Sequence, residues 1–600
     1  MGSNRRTAQE QRNSHLTRIA QVVPDVPSFA VDDGFAYEIP ESLPELDIGD
    51  IVRVPLGGRK VRGYVTAISD GTPERPLRPI AARSGNRGVF DTDMLRSLRW
   101  AATHYVAPLS TVLSRCAPPN LPRRKPRIHE SAVADMDGIL KVWSERQAGG
   151  RRTRPAYLVT GDPLPAVTSA IAPVLRAGKN VIVTAPTVAE AHTVAEALHR
   201  DFGVRVRLAT SEESPAVRTT SWSQIASGTG SVVVGTREVA FWGIDDLGLA
   251  VVLDEGRRGY KSPQTPTFHV RDVLKRRSTI EHFSLLLTGP VPTAEALSSG
   301  VEVIDGTGRI WPLVEVVDRS EDGSGSGAVG DRVRTAIAAL GDTATVFVLV
   351  PRRGGSFRCS RCRELRKCPD CDAMLERSGN CARCGRSFPQ CLACGGARFE
   401  ALGGGVSRIV DDLARIFGND VGAVDSGRRI AVGTERDLVG LPPIDLVVVI
   451  DPDAGILAPN YRADEDALRL LARATLTARP GRGRRALVQT ALPAHRVFDA
   501  LRSGNPMDFM DETLRRRETS GFPPIGDLIA LETDATDAGP ALVEAVGDGS
   551  LLGPAKEGDR ERWLIQGPDL STARLRLRSA VQHIRDSGAR VRVDADPVDL

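Results

Sequence analysis

Eight of the chain's nine cysteines fall in the 36-residue window from Cys359 to Cys394. They form four C-x-x-C pairs, Cys359–Cys362, Cys368–Cys371, Cys381–Cys384 and Cys391–Cys394, with gaps of five, nine and six residues. One C-x-x-C turn presents two thiolates to a tetrahedral metal, and two such turns close a four-sulfur site. Eight cysteines therefore predict two structural zinc ions per chain. A disulfide framework needs an oxidising compartment, and the N-terminus carries no apolar signal core. A redox C-x-x-C usually occurs once, beside a βαβ unit, not four times in a Gly/Arg-rich insert. Charge agrees with zinc. Residues 356–396 hold eight basic and four acidic side chains, and two Zn(Cys)4 centres, each of net charge about −2, bring the loaded insert near neutrality. Spacing leaves the pairing open, although the central two pairs span only Cys368–Cys384 and could close one ribbon, with the outer two closing the other. A metal-clamped module this small is a docking surface for nucleic acid or protein rather than a catalyst. Cys116 stands apart and is expected as a buried, small apolar residue.

Phosphate chemistry would lie further back. The run AYLV leads into Thr160-Gly161-Asp162-Pro163-Leu164-Pro165 and then a helical pattern. A P-loop NTPase places GxxxxGK[ST] here, so that amides cradle the phosphates and Lys reaches them. None of the eight lysines lies in a G-K-[ST] triplet, and two prolines remove amide donors from the cradle. The run LAVVL ends in Asp254-Glu255, where a Walker B pair would hold Mg2+, although an acidic loop at a strand end reads the same way. Without a phosphate cradle the acidic loop is the favoured reading of Asp254-Glu255. Gly161, Asp254 and Glu255 would at most mark a vestigial nucleotide site, and ATP is not expected to be used. Arg479 and Arg482 lie near an arginine-finger position, in a chain where Arg is abundant. No H-E-x-x-H or G-x-S-x-G occurs, and no catalytic residue is assigned.

A third chemistry is suggested near the N-terminus. Residues 1–127 carry 19 basic and 13 acidic side chains, which is more than the whole chain's net +4. Phe35 and Tyr37 stand beside a Gly57-Gly58-Arg59-Lys60 loop. Aromatics stack on unpaired bases while Arg and Lys neutralise phosphate. Two apart on a strand, the same aromatics could instead fill a core.

The elements that must position these groups follow from length and pattern. Six hundred residues suggest three to six domains at roughly 100–200 residues each. No apolar run approaches the ~18 residues of a membrane span, so no membrane partner is expected and the chain is read as soluble and cytoplasmic, with nucleoid association following only from a DNA partner. Residues 17–68 alternate like a small β domain, and a helix follows near 94–107. Residues 122–155 form a Pro/Arg-rich, weakly patterned connector. From Tyr157 onward AYLVTG, NVIVTAP, VRVRLAT, SVVVGT, LAVVLDE and FSLLLTG recur in a βαβ rhythm. A second set, TATVFVLV, RRIAVGT, DLVVVID and RALVQT, accompanies a helix over Val406–Phe417. The expected fold is multidomain α/β. An N-terminal small β-barrel domain (15–121) is followed by the connector (122–155) and a first α/β lobe (156–312). The second lobe (313–357 and 397–520) carries the double zinc insert (358–396), and a small α/β domain (521–600) ends the chain.

With these parts in order, the chain resembles the PriA family of replication-restart proteins, a helicase-fold family. The likeness is carried by Phe35-Ala36-Tyr37, VRVPLGGRKVRGYV, RWAATHYVAPLSTVLSRCAPPNL, LDEGRRGYK, LTGPVP, DPDAGILAPNYRADEDALRLL, RRRETSGFPPIGDL and VDADPV, in that order around the eight cysteines. The resemblance implies a barrel that binds 3′ DNA ends and RecA-like lobes. It also implies nested zinc pairing, with Cys359, Cys362, Cys391 and Cys394 on one metal and Cys368, Cys371, Cys381 and Cys384 on the other. Phe35, Gly57 and Arg78 align with positions that grip the 3′ nucleotide, but the family's Asp is Ala36. The family's GSGKT reads Gly161-Asp162-Pro163-Leu164-Pro165, its DEEH reads Asp254-Glu255-Gly256-Arg257, and its AGRAGR is replaced by Thr475-Leu476-Thr477-Ala478-Arg479-Pro480. The winged-helix domain has only the connector for room. The resemblance thus implies a scaffold that binds forked DNA with a single-stranded 3′ end and supports primosome assembly. Its implied partners are other primosome proteins, a replicative helicase loader and single-strand-binding protein. The alternatives are an active ATP-dependent 3′–5′ helicase with an unusual nucleotide site, and a zinc-containing protein-interaction scaffold.

Overall fold

The computed structural model describes residues 17–121, 133–148, 154–226, 228, 230–306, 311–319, 327–351, 356–369, 375, 378–381, 386–402, 405–479, 485–557 and 560–599. The N-terminal strands β1 (Thr17–Pro24), β2 (Phe35–Glu38), β3 (Ile51–Leu56), β4 (Arg59–Gly71) and β5 (Ala82–Ser84) form one antiparallel sheet in the order β2-β1-β4-β3-β5. The segment before β5 closes it: the Glu38 amide donates to Arg78 O and the Ile80 amide to Glu38 O, while the Ala81 amide reaches Arg53 O. Alternation puts Ala20, Val22, Tyr37, Val52, Val54 and Val65 inside this small barrel. Gly57 and Gly58, at φ +56° and +80°, make the tight β3–β4 turn that needs two left-handed residues.

The first lobe is an all-parallel sheet ordered β12-β6-β11-β10-β7-β9-β8. It comprises β6 (Ala156–Val159), β7 (Asn180–Thr184), β8 (Val206–Ala209), β9 (Val232–Gly235), β10 (Leu247–Val252), β11 (Ser284–Gly289) and β12 (Glu302–Asp305). β6, β7, β9 and β11 are buried along their whole length, as βαβ crossovers require when helices cover both faces. The second lobe repeats the plan with β13 (Leu313–Asp318), β14 (Val346–Leu349), β17 (Val421–Ala423), β18 (Ile430–Gly433), β19 (Leu446–Ile450) and β20 (Arg485–Thr490), ordered β13-β20-β19-β14-β18-β17. The helix Val406–Phe417 forms over the range its periodicity predicts, with Ile409 and Leu413 buried against this sheet. Between β14 and that helix a hairpin of β15 (Ser356–Cys359) and β16 (Phe399–Leu402) carries the cysteine insert outward.

The C-terminal unit has β21 (Asp527–Thr533), β22 (Ser550–Glu557), β23 (Arg560–Gly567) and β24 (Val591–Ala595) in the order β22-β23-β21-β24. Its helix Ser571–Asp586 docks on the barrel: Gln582 Oε1 accepts from the Phe29 amide at 3.1 Å, and Arg578 and Arg585 lie 5.3 and 5.5 Å from the Phe29 ring centroid. Among the described residues no helix is long and apolar enough to cross a membrane.

The connector departs from its sequence reading. Residues 122–132 and 149–153 lie outside the described residues, but Lys141–Ala148 is a helix packed on Leu164–Arg176. Leu140 and Trp143 supply the buried contact, and Ser144 Oγ donates to Ala170 O. Three inward positions in a charged stretch suffice to dock a helix without giving a clear apolar stripe.

Candidate functional site

Three regions draw on the residues singled out by the sequence. In the insert, two C-x-x-C turns from distant points of the chain converge. Sγ of Cys359, Cys362, Cys391 and Cys394 all lie within 4.8 Å of one another, with Cys359–Cys394 at 3.5 Å and Cys362–Cys391 at 3.6 Å. Four thiolates at ~2.3 Å from one zinc stand ~3.8 Å apart, so these residues fit a tetrahedral four-sulfur metal site. Local backbone supports the thiolate form. Amides of Cys362 and Arg361 are directed at the Cys359 sulfur and lower its pKa, while the sulfur–sulfur contacts that lower it further raise that of Cys362. Each turn ends in a left-handed residue, Gly395 at φ +70° and Arg363 at φ +64°. For Arg that conformation costs ~1 kcal/mol or more, a strain the turn must outweigh by other contacts.

Arg366 pins the rest of the insert. It lies 3.6 Å from the Phe399 ring centroid and donates to Phe388 O and Pro389 O at 2.9 and 3.2 Å. Beyond it Cys368 and Cys381 are buried together with Leu375, against Phe388. Cys371 and Cys384 lie outside the described residues.

At the barrel, Phe35 is exposed at 40% and Tyr37 is buried at 4%. The reading of Tyr37 as a DNA contact is therefore corrected. Its ring fills the barrel core, its hydroxyl donates to Pro55 O at 3.2 Å, and burial raises its pKa, with the Arg78 charge pulling the other way. Both aromatics occupy alternate positions of β2, paired with Val22 and Ala20 of β1, but Phe35, the first residue of the strand, stays exposed. Arg59, Lys60 and Arg78 are exposed, with Gly57 at the open tip of the hairpin. Tyr37 links these parts, since it touches the β3 end beside Gly57 and feels the charge of Arg78.

The third region is the cleft between the lobes, at the C-terminal ends of β6, β7, β10 and β11, the place where open α/β sheets bind ligands. It encloses about 220 Å3, below the ~300–1,000 Å3 usual for ligand pockets. Its walls are occupied by the chain itself. Leu476 of the second lobe packs on Gly161, so close that a Cβ there would stand 3.0 Å from the Leu476 Cβ. The Asp162 carboxylate accepts from the Leu164 amide at 3.2 Å, taking a donor that a phosphate would use and adding negative charge at that helix start. Glu255 is fully buried, accepting from the Thr293 amide and hydroxyl at 3.0 and 2.7 Å and pairing with Arg271 at 3.0 Å. Asp254 is ion-paired with Arg473 at 2.9 Å and Arg257 at 3.3 Å. Gly161, Asp254 and Glu255 therefore do not form an open phosphate site.

Sequence reasoning missed Arg257, Arg473, Glu190 and Glu435, which complete this cluster. Arg257 meets Glu190 at 2.9 Å and Glu435 at 3.3 Å, and Arg473 meets Glu435 at 2.8 Å. Burial alone would lower the pKa of Arg257, but the facing Asp254, Glu190 and Glu435 outweigh it and raise it. Arg479, flagged by its position, instead pairs with Asp445 at 2.9 Å, and Arg482 lies outside the described residues.

Comparison with known proteins agrees with these parts. Residues 21–118 match the family model of the PriA 3′DNA-binding domain (3′BD). The chain is 27% identical to the replication restart protein PriA of Treponema pallidum, over 97% of this chain and 99% of that protein. It is 26% identical to PriA of Synechocystis, over 78% of this chain and 63% of that one, and 26% identical to a probable PriA of Mycobacterium tuberculosis, over 86% of each. A solved structure of RecG bound to a three-way DNA junction aligns with a TM-score of 0.35 and 14% identity, covering 65% of this chain and 47% of that one. With a matched 3′DNA-binding domain, likeness along nearly the whole length and a converging cysteine cluster, the chain is similar to the PriA replication restart proteins.

Proposed function

We propose that this protein is a PriA-like DNA-binding scaffold of replication restart that does not hydrolyse ATP. It binds forked or branched DNA through the barrel, with Phe35 stacking on a base at a single-stranded 3′ end and Arg59, Lys60 and Arg78 neutralising phosphates around Gly57. The insert carries two zincs. Cys359, Cys362, Cys391 and Cys394 hold one, and Cys368, Cys371, Cys381 and Cys384 hold the other. The metals supply rigidity, and the insert supports assembly with other primosome proteins, single-strand-binding protein and the loader of the replicative helicase. The observation that carries this reading is a contrast. The barrel rim keeps an aromatic and three cations exposed, while the cleft between the lobes is narrowed by Leu476 and its charges are taken up in ion pairs.

The test is binding and strand displacement on one set of substrates. Forks with a free 3′ end should bind more tightly than blunt duplex, with affinity falling as salt rises, and no strand should be displaced when MgATP is added. Equal affinity for both DNAs would remove the end-binding role, and ATP-dependent displacement would make the protein a helicase.

A further inference from the structure

The charged groups in the interlobe cleft are arranged across the seam, not merely around it. Glu190, Asp254 and Arg257 belong to the first lobe, and Glu435 and Arg473 to the second. Each arginine reaches both sides. Arg257 Nη1 lies 2.9 Å from Glu190 while its Nε lies 3.3 Å from Glu435. Arg473 Nη1 lies 2.8 Å from Glu435 while its Nε lies 2.9 Å from Asp254, with Nη2 4.0 Å from Glu190. Every carboxylate in the set touches both guanidinium groups.

We infer that this lattice clamps the two lobes closed without a ligand, with the Arg473 guanidinium seated on Asp254 as the cation there. The inference rests on the reading that the cleft does not take ATP, and adds what the lobes do instead. Lobe closure around a bound substrate is the usual source of motion in such two-part sites, because the ligand supplies the charges that both halves grip. Here both halves grip each other. Three carboxylates facing two guanidinium groups leave a net charge of −1, which disfavours a polyanion such as a nucleotide triphosphate and gives no reason for the clamp to open towards one. Isolated surface ion pairs contribute little, but four of these five side chains are only 12–21% exposed and all are shared, so ordering one side chain serves several pairs.

A second set of contacts holds the seam elsewhere. Glu295 of the first lobe takes Arg462 at 2.6 and 2.9 Å and Arg517 at 3.0 Å, and Arg258 meets Asp466 at 3.0 Å. The C-terminal segment ties in as well, with Tyr461 donating to Pro597 O and Asn460 to Val598 O. With both sets intact, separating the lobes requires breaking several charged contacts at once.

The test is an interlobe distance in the full chain. Spin labels on genetically encoded side chains, which spare the cysteines, are placed at the exposed positions Arg200 and Asn419, one in each lobe. The expected result is one narrow distance distribution that millimolar MgATP does not change. Arg473→Glu should broaden and lengthen it, and Arg473→Lys should keep it narrow. If Arg473→Glu does not fold by circular dichroism, Glu435→Gln removes one contact from each arginine at a half-exposed site, and a measurable broadening is expected there. A narrow distribution in both Arg473→Glu and Glu435→Gln would overturn the clamp and leave the ATP-inert reading standing. A broad distribution that MgATP narrows would overturn both. Phosphate release with an unchanged narrow distance would overturn only the ATP-inert reading.

Discussion

The outer cysteine cluster and the interlobe cleft both join chain segments far apart in sequence, yet they stand in opposite conditions. The four sulfurs of Cys359, Cys362, Cys391 and Cys394 converge from turns about thirty residues apart, with an amide aimed at the Cys359 sulfur and a buried Arg366 holding the insert together. The cleft keeps two acidic residues where a nucleotide site would hold them, but Asp254 is paired with Arg473 and Arg257, and Glu255 with Arg271 and Thr293. A four-thiolate site needs only its ligands and two tight turns, so it survives whatever happens around it. A phosphoryl-transfer site needs amides, Lys, a metal ligand and arginines from several elements at once. Once the Lys and amide donors are gone, the remaining charges are better satisfied by one another.

The largest effect should come from breaking the side of this contrast that is intact. Cys391→Ser is expected to lose one zinc per chain by elemental analysis and to raise amide exchange in β15 and β16, since a structural zinc contributes on the order of 10 kcal/mol to folding of small modules. Retained metal and unchanged exchange would remove the outer site. At the barrel, Phe35→Ala should weaken binding to a 3′-ended fork by roughly 5–150-fold, the equivalent of ~1–3 kcal/mol for a stacked base. Tyr37→Phe is the control that sharpens it. Fork affinity should hold while unfolding stability falls by about 0.5–1.5 kcal/mol through loss of the bond to Pro55. If the two substitutions exchange these effects, the assignment of core and contact is reversed. The smallest change is expected in the cleft itself. Restoring Lys and Thr by Leu164→Lys and Pro165→Thr should produce no ATP turnover, because Leu476 still covers Gly161 and Arg473 still occupies Asp254. Turnover gained from those two replacements alone would mean the cleft is open.

Much of this was legible in the residue order. The six first-lobe strands, the four in the second and the helix Val406–Phe417 all announce themselves, because a buried parallel strand is a continuous apolar run and a surface helix shows a 3.6-residue stripe. The edge strands β12 and β13 carry charged residues such as Glu302, Asp305 and Glu315, and β17 is only 3 residues long, so none of them gave such a signal. Tyr37 and Phe35 show the limit of period-2 reasoning. Alternation assigns a side of the strand, but not which residues along that side the rest of the barrel covers. Arg473 shows another limit. In an Arg-rich chain no local pattern marks the one guanidinium that crosses to Asp254, because its partners sit 38 residues before it in Glu435 and further back still in the first lobe.

The central claim is that the lobes no longer process a nucleotide while the barrel still engages DNA. Phosphate release measured with saturating forked DNA and MgATP tests it most directly, with fork binding confirmed in the same sample. The account predicts bound fork and phosphate release no faster than in buffer. DNA-stimulated release that disappears in Asp254→Asn would contradict it.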